Sequence, residues 1–324
     1  MKVFVTGGNG FIGSVVVRQL ATDGHAVVCL LRPTSNTDRL AGLRHERADG
    51  DVRDAESLRA GMAGCDAVIH LASLSSWDLI DSPEMKDVVL GGTGNVLDAA
   101  QALGNPRVVF VSSVTAVGAT AGPETLDEDA PYNLERERGL TYSLFKHQAE
   151  ALCRDAVARG QNIVVVNPAE VYGPNDTAFI TSSNLIDFAK SNPVLVCRGG
   201  TSVAFVDDVA LGIVRAMERG RAGERYILGG QNVTLEELAQ ETLSILERKA
   251  RVWVLPNPII RAVTRIATAL HIKLPYNPRV IPYATRYWFM DSTKAQRELG
   301  VDFRAARATL EPTLAWLREA GHIQ

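Results

Sequence analysis

Tyr142 and Lys146 stand four residues apart in Tyr142-Ser143-Leu144-Phe145-Lys146, a spacing that sets a phenol and an ammonium side by side on one face of a helix. A tyrosine with a pKa of ~10 is a poor acid–base group at neutral pH, and a neighbouring cation favours its phenolate and draws it toward working range. Tyr-x-x-x-Lys also arises often by chance on helices, so the pair needs a second signal. Val111-Ser112-Ser113-Val114 provides one. It closes an apolar run of strand character, and ligands of open parallel sheets bind beyond the carboxyl ends of the strands. A hydroxyl placed there can hold a substrate carbonyl while the phenol moves a proton.

The amino terminus carries the other chemistry-bearing pattern. Residues 3–5 run into Thr6-Gly7-Gly8-Asn9-Gly10-Phe11-Ile12-Gly13, which satisfies Gly-x-x-Gly-x-x-Gly and, from Gly8, Gly-x-Gly-x-x-Gly. Glycines let such a turn adopt positive φ and approach a pyrophosphate, while the following helix aims free N–H groups and its positive end at the anion. Placed directly after a first strand and before a helix, the loop reads as a dinucleotide site. The second strand ends at Leu30-Leu31-Arg32, where a cofactor with a free 2′-hydroxyl usually meets Asp or Glu. The Arg32 guanidinium suits a 2′-phosphate, so NADP(H) is favoured and NAD(H) stays open; the other reading is a solvated surface arginine. Asp51, followed by Val52, stands where a third strand would end, and its carboxylate either accepts from an adenine amino group or caps the next helix. A nicotinamide beside Tyr142 would favour the phenolate when oxidised, and Lys146 would also grip its ribose.

These residues need a scaffold, and the first half of the chain supplies its pattern. Short Val/Ile-rich runs at 3–5, 26–31, 67–71, 108–112 and 163–166 alternate with helical periods at 13–23, 55–63, 92–103 and 142–159. Gly24, Gly64, Gly104 and Gly160 stand where C-terminal caps belong. The expectation is an α/β fold, a doubly wound parallel sheet with helices on both faces. A dinucleotide-binding core covers 1–174, with elements at about 201–230 returning to it. A smaller, mostly C-terminal substrate-binding lobe takes 175–200 and 231–324, with Thr234 and Glu237 as a capping pair.

Together the glycine loop, the strand-end serines and the Tyr142/Lys146 pair resemble the short-chain dehydrogenase/reductase superfamily, in its extended branch. Asn167-Pro168-Ala169-Glu170-Val171-Tyr172-Gly173-Pro174 is similar to that branch's Arg-Pro-x-x-Val-Tyr-Gly-Pro segment, and Phe205-Val206-Asp207-Asp208-Val209-Ala210 to its Val-Asp-Asp-Val-Ala helix start. Three further segments, at 31–35, 223–230 and 294–300, resemble dihydroflavonol-reductase-like and hopanoid-associated epimerase-like bacterial members, so nearly the whole chain is covered. The resemblance implies a Rossmann core and a homodimer paired through the helices at 92–103 and 142–159. It makes Ser113 the carbonyl-polarising serine, Ser112 its neighbour, Tyr142 the proton carrier, and Lys146 the group that tunes it and binds ribose. Gly7, Gly10, Phe11, Ile12 and Gly13 would hold the pyrophosphate, Leu71, Ala72 and Ser73 would line the cofactor, and Pro168 would border the nicotinamide amide.

Four positions depart from the branch: Thr201 where sugar-nucleotide enzymes carry Arg, Val117 for an aromatic, Val89 for Asn, and Asn167 for Arg. Each removes polar grip on a phosphate-bearing substrate, and Arg198 is the obvious replacement cation. Reduction of a small or medium, fairly apolar ketone or aldehyde, or the reverse oxidation, therefore ranks above sugar-nucleotide epimerisation or dehydration with tightly bound NAD. A dinucleotide sensor without chemistry ranks last.

Composition narrows the partners. The 324 residues are 46% hydrophobic and 22% charged, enough core for one or two soluble domains, and the net charge of −3 disfavours nucleic acid. Cys29, Cys65, Cys153 and Cys197 form no CxxC pair and read as core thiols, while the histidines lack metal-ligand spacing; no metal is expected. Asp207-Asp208 reads as helix-start carboxylates. The start has too short an apolar run for a signal peptide, no stretch reaches the ~18 apolar residues of a span, and the expected location is cytoplasmic. Trp77, Phe179, Phe188, Trp288 and Phe289 either line a pocket or fill core. Residues 252–274 carry an apolar stripe at helical period, expected to pack on its own domain, with a substrate cap or a membrane surface as alternatives.

Overall fold

In a computed structural model, which describes residues 1–74, 76–274 and 276–324, the Val/Ile-rich runs become strands of one large sheet. Along the chain come β1 (Lys2–Thr6), α1 (Phe11–Thr22), β2 (Ala26–Leu31), β3 (Glu46–Asp49), α2 (Ala55–Met62) and β4 (Ala67–His70). The short α3 (Pro83–Lys86) passes through a π-helical turn into α4 (Gly92–Ala102), followed by β5 (Arg107–Val111), α5 (Thr141–Ala158) and β6 (Ile163–Pro168). The second half adds β7 (Glu170–Tyr172), α6 (Ser182–Lys190), β8 (Val194–Cys197), β9 (Gly200–Phe205), α7 (Val206–Arg219), β10 (Arg225–Leu228), β11 (Gln231–Thr234) and α8 (Leu235–Ile245). Last come β12 (Val252–Leu255), α9 (Asn257–Ala269), α10 (Ile281–Ala284), β13 (Tyr287–Trp288), α11 (Thr293–Leu299) and α12 (Ala306–Glu319).

The large sheet has seven strands in the order β10-β6-β5-β4-β1-β2-β3, all paired in parallel. Because successive side chains of a strand point to opposite faces, Val3 and Val5 meet α1 and α7, whereas Phe4 meets the opposite layer of α2, α4 and α5. Ile69 and Val109 repeat the first pattern, Val68 and Val108 the second. Strands covered on both faces must be apolar throughout, which is why these runs do not alternate in sequence. Gly24, Gly64, Gly104 and Gly160 all take positive φ just after their helices, the conformation a left-handed cap requires. Strand order reverses between β1 and β4, so the loop leaving β1 opens on the crevice of that switch point.

The second half divides its elements. α7 and β10 join the large sheet, whereas β9 lies in a small sheet ordered β11-β9-β13, with β7 also paired to β9. β8 and β12 form a separate parallel pair, and α6, α8 and α12 pack around a core of Leu185, Leu238, Leu243, Leu310 and Leu314. α8 starts on the expected capping box: Thr234 Oγ1 accepts from Glu237 N at 3.1 Å while Glu237 Oε2 accepts from Thr234 N at 2.8 Å. Asp208 pairs with Arg304 at 2.8 Å and Asp207 with Arg18, so the two carboxylates tie α7 to its neighbours. Among the described residues no cluster of His, Cys, Asp and Glu could hold a metal, and no helix is long and apolar enough to cross a membrane.

One expectation is corrected. The stripe of α9 does not pack on its own domain: Ile259, Val263 and Ile266 are exposed, and only Thr264 and Ala267 of the helix are buried. Polar bonds hold the helix in place of an apolar seam. Arg261 donates to Thr285 Oγ1 at 2.7 Å, and the Thr264 hydroxyl bonds that of Tyr276 at 2.8 Å.

Candidate functional site

A cavity of about 600 Å³ opens at the switch point and runs from the glycine loop to a wall made by α10 and β13. At its first end lie Gly7, Gly10, Phe11, Ile12, Gly13 and Arg32. Gly7 takes φ +72, and a Cβ there would come within 2.9 Å of Ala72 N, so the loop closes against the β4 end only with glycine. A Cβ on Gly13 would meet Gly7 O at 2.0 Å, which lets α1 begin directly under the loop. Gly10 caps α1 without a side-chain hydrogen bond, and the first turn holds no acidic residue. The helix therefore offers its N–H groups and positive end to the cavity, which is the fit a pyrophosphate requires.

Arg39 was not singled out from the sequence. It bridges Asn9 O at 3.4 Å, Asn175 O at 3.0 Å and Thr177 Oγ1 at 2.5 Å, joining the glycine loop to the segment after β7. No local pattern announces it, because its partners lie in two stretches of chain far from it in sequence.

Arg32 lines the cavity with an exposed side chain and has no carboxylate within ion-pair distance among the described residues. Asp51 and Val52 do not line the cavity. Asp51 is gripped by Arg53 through Nε at 2.9 Å and Nη2 at 2.7 Å, and that guanidinium holds its carboxyl below the usual carboxylate range. The cap of α2 is Asp54, whose Oδ1 accepts from Glu56 N at 3.0 Å, and not Asp51. Leu71 and Ser73 line the cavity; Ala72 instead donates its N–H to Thr6 Oγ1 at 3.2 Å. Thr6 also bonds His70 Nδ1 at 2.7 Å, and His70 Nε2 reaches Thr93 Oγ1 at 3.2 Å. Burial pushes the imidazole down to about 3, so His70 is a neutral strut.

The cavity's centre brings together Ser112, Ser113, Tyr142, Lys146 and Pro168. Ser113 Oγ accepts from Thr115 N at 3.2 Å and from Thr115 Oγ1 at 3.0 Å. A hydroxyl has two acceptor lone pairs and one proton, so with both lone pairs engaged its proton is the part left to give. Burial pushes the Tyr142 phenol up to about 12, and the hydroxyls of Ser113 and Ser73 act in the opposite direction. α5 is seated by Ser143, whose hydroxyl donates to Thr115 O at 2.6 Å. One turn on, Lys146 is buried, donates to Val111 O at 3.0 Å, and lies 5.9 Å from the centre of the Tyr142 ring. Burial draws its ammonium down to about 8, with Glu150 opposing. The Ser112 hydroxyl is buried without a hydrogen-bond partner among the described residues, further polar capacity beside the cavity.

At the far end the lining is mostly apolar: Trp77, Ile80, Met85, Val280, Tyr283 and Trp288. Of the five aromatics left open by the sequence, Trp77 and Trp288 thus line the cavity, Phe188 and Phe289 are buried, and Phe179 packs on Trp316 and His322. Glu170, passed over within its segment, also lines this end. Its carboxyl accepts from Tyr172 OH at 2.7 Å and Asn184 Nδ2 at 3.1 Å, and burial pushes its pKa up. Of the four departures, only Thr201 faces the cavity. Val89 and Val117 are core, and Asn167 is buried, donating to Glu150 at 2.6 Å and to Ser113 O at 2.9 Å. Arg198 does not line the cavity.

The class of protein defined by this doubly wound fold is the NAD(P)-dependent oxidoreductases of the extended short-chain dehydrogenase/reductase type. Residues 3–229 match the model of the NAD dependent epimerase/dehydratase family, and the chain belongs to that family. It is 33% identical to the 4-hydroxy-2-methyl-3-oxo-4-farnesyl-3,4-dihydroquinoline-1-oxide ketoreductase of Stigmatella aurantiaca, over 99% of this chain and 97% of that one. It is 31% identical to cinnamoyl-CoA reductase 1 of Oryza sativa subsp. japonica, over 99% and 91% of the two chains. Its fold superposes with a TM-score of 0.83 on a nucleoside-diphosphate-sugar epimerase from Pseudomonas aeruginosa, at 25% identity over 100% and 99% of the chains.

Proposed function

We propose that the protein is an NADP(H)-dependent reductase that interconverts a small or medium, fairly apolar ketone or aldehyde and its alcohol. The observation that carries this reading is the far end of the cavity. Its described lining is mostly aromatic and aliphatic, with Glu170 and Thr201 as polar members, and the lining cations are Arg32, Arg39 and Lys146, all placed at the glycine loop or the Tyr142 pair. A sugar nucleotide would bring a second pyrophosphate to a wall that offers it no guanidinium. The Stigmatella relative, whose name gives a farnesyl-bearing ketone, supports the same substrate class.

The glycine loop and the start of α1 would hold the pyrophosphate, Arg32 the 2′-phosphate, Lys146 the ribose, and Pro168 the border of the nicotinamide. When bound, the nicotinamide supplies or accepts the hydride. Ser113 donates a hydrogen bond to the substrate carbonyl oxygen, and Tyr142 gives that oxygen its proton. Lys146, still protonated at neutral pH, stabilises the phenolate left behind. The protein works in the cytoplasm as a homodimer paired through α4 and α5.

A panel of apolar ketones and aldehydes, followed by loss of NADPH absorbance, tests the proposal. Turnover on such substrates should fall about 10²–10⁴-fold in Tyr142→Phe. Uniform inactivity on the panel, together with redox-neutral conversion of a sugar nucleotide, would replace the reductase by an epimerase.

A further inference from the structure

The second half of the chain carries a row of apolar side chains that the other described residues leave exposed. Ile259, Val263 and Ile266 along α9 and Leu270 at its C-cap recur at helical spacing and are all exposed, Leu270 at 65%. β12 leads into this helix, and its Trp253, 52% exposed, sits opposite the exposed Leu195 in the parallel pair with β8. Scattered apolar residues are ordinary on a surface, but a row along one helix joined to an exposed tryptophan marks an interaction face.

Charge identifies the occupant. From Arg248 to Met290 the sequence holds eight Lys and Arg and no Asp or Glu, in a chain whose net charge is −3. Several of these cations are engaged: Arg286 pairs with Glu137, Arg279 faces Asp81, Arg261 bonds Thr285, and Arg248 donates to Ser191 O. Lys249, Arg251, Arg265 and Lys273 are exposed and, among the described residues, have no carboxylate within ion-pair distance. They flank the apolar row at both ends and along α9. An amphipathic helix with an apolar face, a cationic rim and an aromatic at the boundary matches the interface of an anionic bilayer, where acyl chains lie beneath negative headgroups.

We infer that α9, with the β8–β12 pair, docks the protein on the surface of an anionic phospholipid membrane, lying in the interface without crossing it. The bonds from Arg261 to Thr285 tie α9 to α10, whose Tyr283 and Ala284 line the cavity. The docked face and the substrate end of the cavity therefore form one structural unit. This inference does not rest on the proposed reductase activity, since vesicle binding is read without substrate or cofactor.

The test is sedimentation of the full chain with phosphatidylcholine vesicles, with and without phosphatidylserine. The protein should bind the phosphatidylserine vesicles at least ~10-fold better than the neutral ones, and high salt should remove most of that difference. Ile266→Glu/Leu270→Glu should lose binding, and Arg265→Glu/Lys273→Glu, which leaves the apolar row intact, should weaken it by a similar factor. All four positions are exposed, so both variants should keep the wild-type thermal unfolding midpoint and NADPH affinity. A protein that stays in the supernatant with both vesicle types overturns the inference. So does a wild-type dimer that Ile266→Glu/Leu270→Glu converts to a monomer without any vesicle binding, which would make this face a contact between two copies.

Discussion

Ser113 shows how a single hydroxyl is prepared by its neighbours. Thr115 occupies both its lone pairs and Asn167 holds its backbone carbonyl, so the side chain arrives at the cavity as a donor of fixed direction. Such preorganised donors are worth more than mobile ones because they need not reorient during the reaction. Ser113→Ala should lower kcat by about 10²–10³-fold with little change in unfolding temperature, measured as NADPH-linked turnover. His70 makes a different prediction, about stability. Its imidazole titrates near 3 when buried, against ~6.5 in an unfolded chain. Between those values the unfolded chain binds a proton that the folded one refuses, so stability falls as pH drops below ~6.5. Urea midpoints at pH ~7 and pH ~5 should show this loss, and His70→Gln should flatten it.

Elements of the first half were legible because each is announced locally. The strand at 26–31 coincides with β2, and four glycines mark four helix ends by their backbone freedom alone. The strand–glycine turn–helix geometry at 2–22 was legible for the same reason. What the sequence hid is long-range. The exception is local: of the two readings of Asp51, the cap belongs to Asp54 three residues on, while Arg53 grips the Asp51 carboxylate. Asn167 and Val117 looked like losses of substrate grip, but they are core positions that never faced a substrate. β9 reads Gly-Thr-Ser-Val-Ala-Phe, too polar to be recognised as a buried strand until β11, β13 and β7 are seen to surround it. The contact of α1 with its loop supplies a test at this scale. With 2.0 Å between a Cβ on Gly13 and Gly7 O, Gly13→Ala must push the helix off the loop. It should destabilise the protein by about 1–3 kcal/mol in urea unfolding and weaken NADPH binding by at least ~10-fold in a fluorescence titration.

Across the whole molecule, one cavity joins two kinds of surface. Its first end is a polar cradle at the sheet's switch point, where any fold of this topology presents strand ends and a helix start. Its far end is built jointly by residues 77–85 of the first half and by the α10–β13 region of the second, and its mostly apolar lining supports the proposed substrate class. α4 and α5 lie side by side on one sheet face and carry exposed leucines, Leu103 just past the end of α4 and Leu152 within α5. Leu103→Glu/Leu152→Glu should shift a dimer toward monomer in sedimentation velocity without unfolding it, whereas a wild-type monomer at micromolar concentration would end the pairing proposed for these helices.

The measurement that bears most directly on the proposed reductase is a titration of the purified protein with NADPH and NADH, after assaying it for retained dinucleotide. The protein should arrive free of cofactor and bind NADPH at least ~10-fold tighter, about 1.4 kcal/mol, a preference that Arg32→Ala removes. A protein that arrives loaded with tightly held NAD, and shows no preference for NADPH, would contradict it.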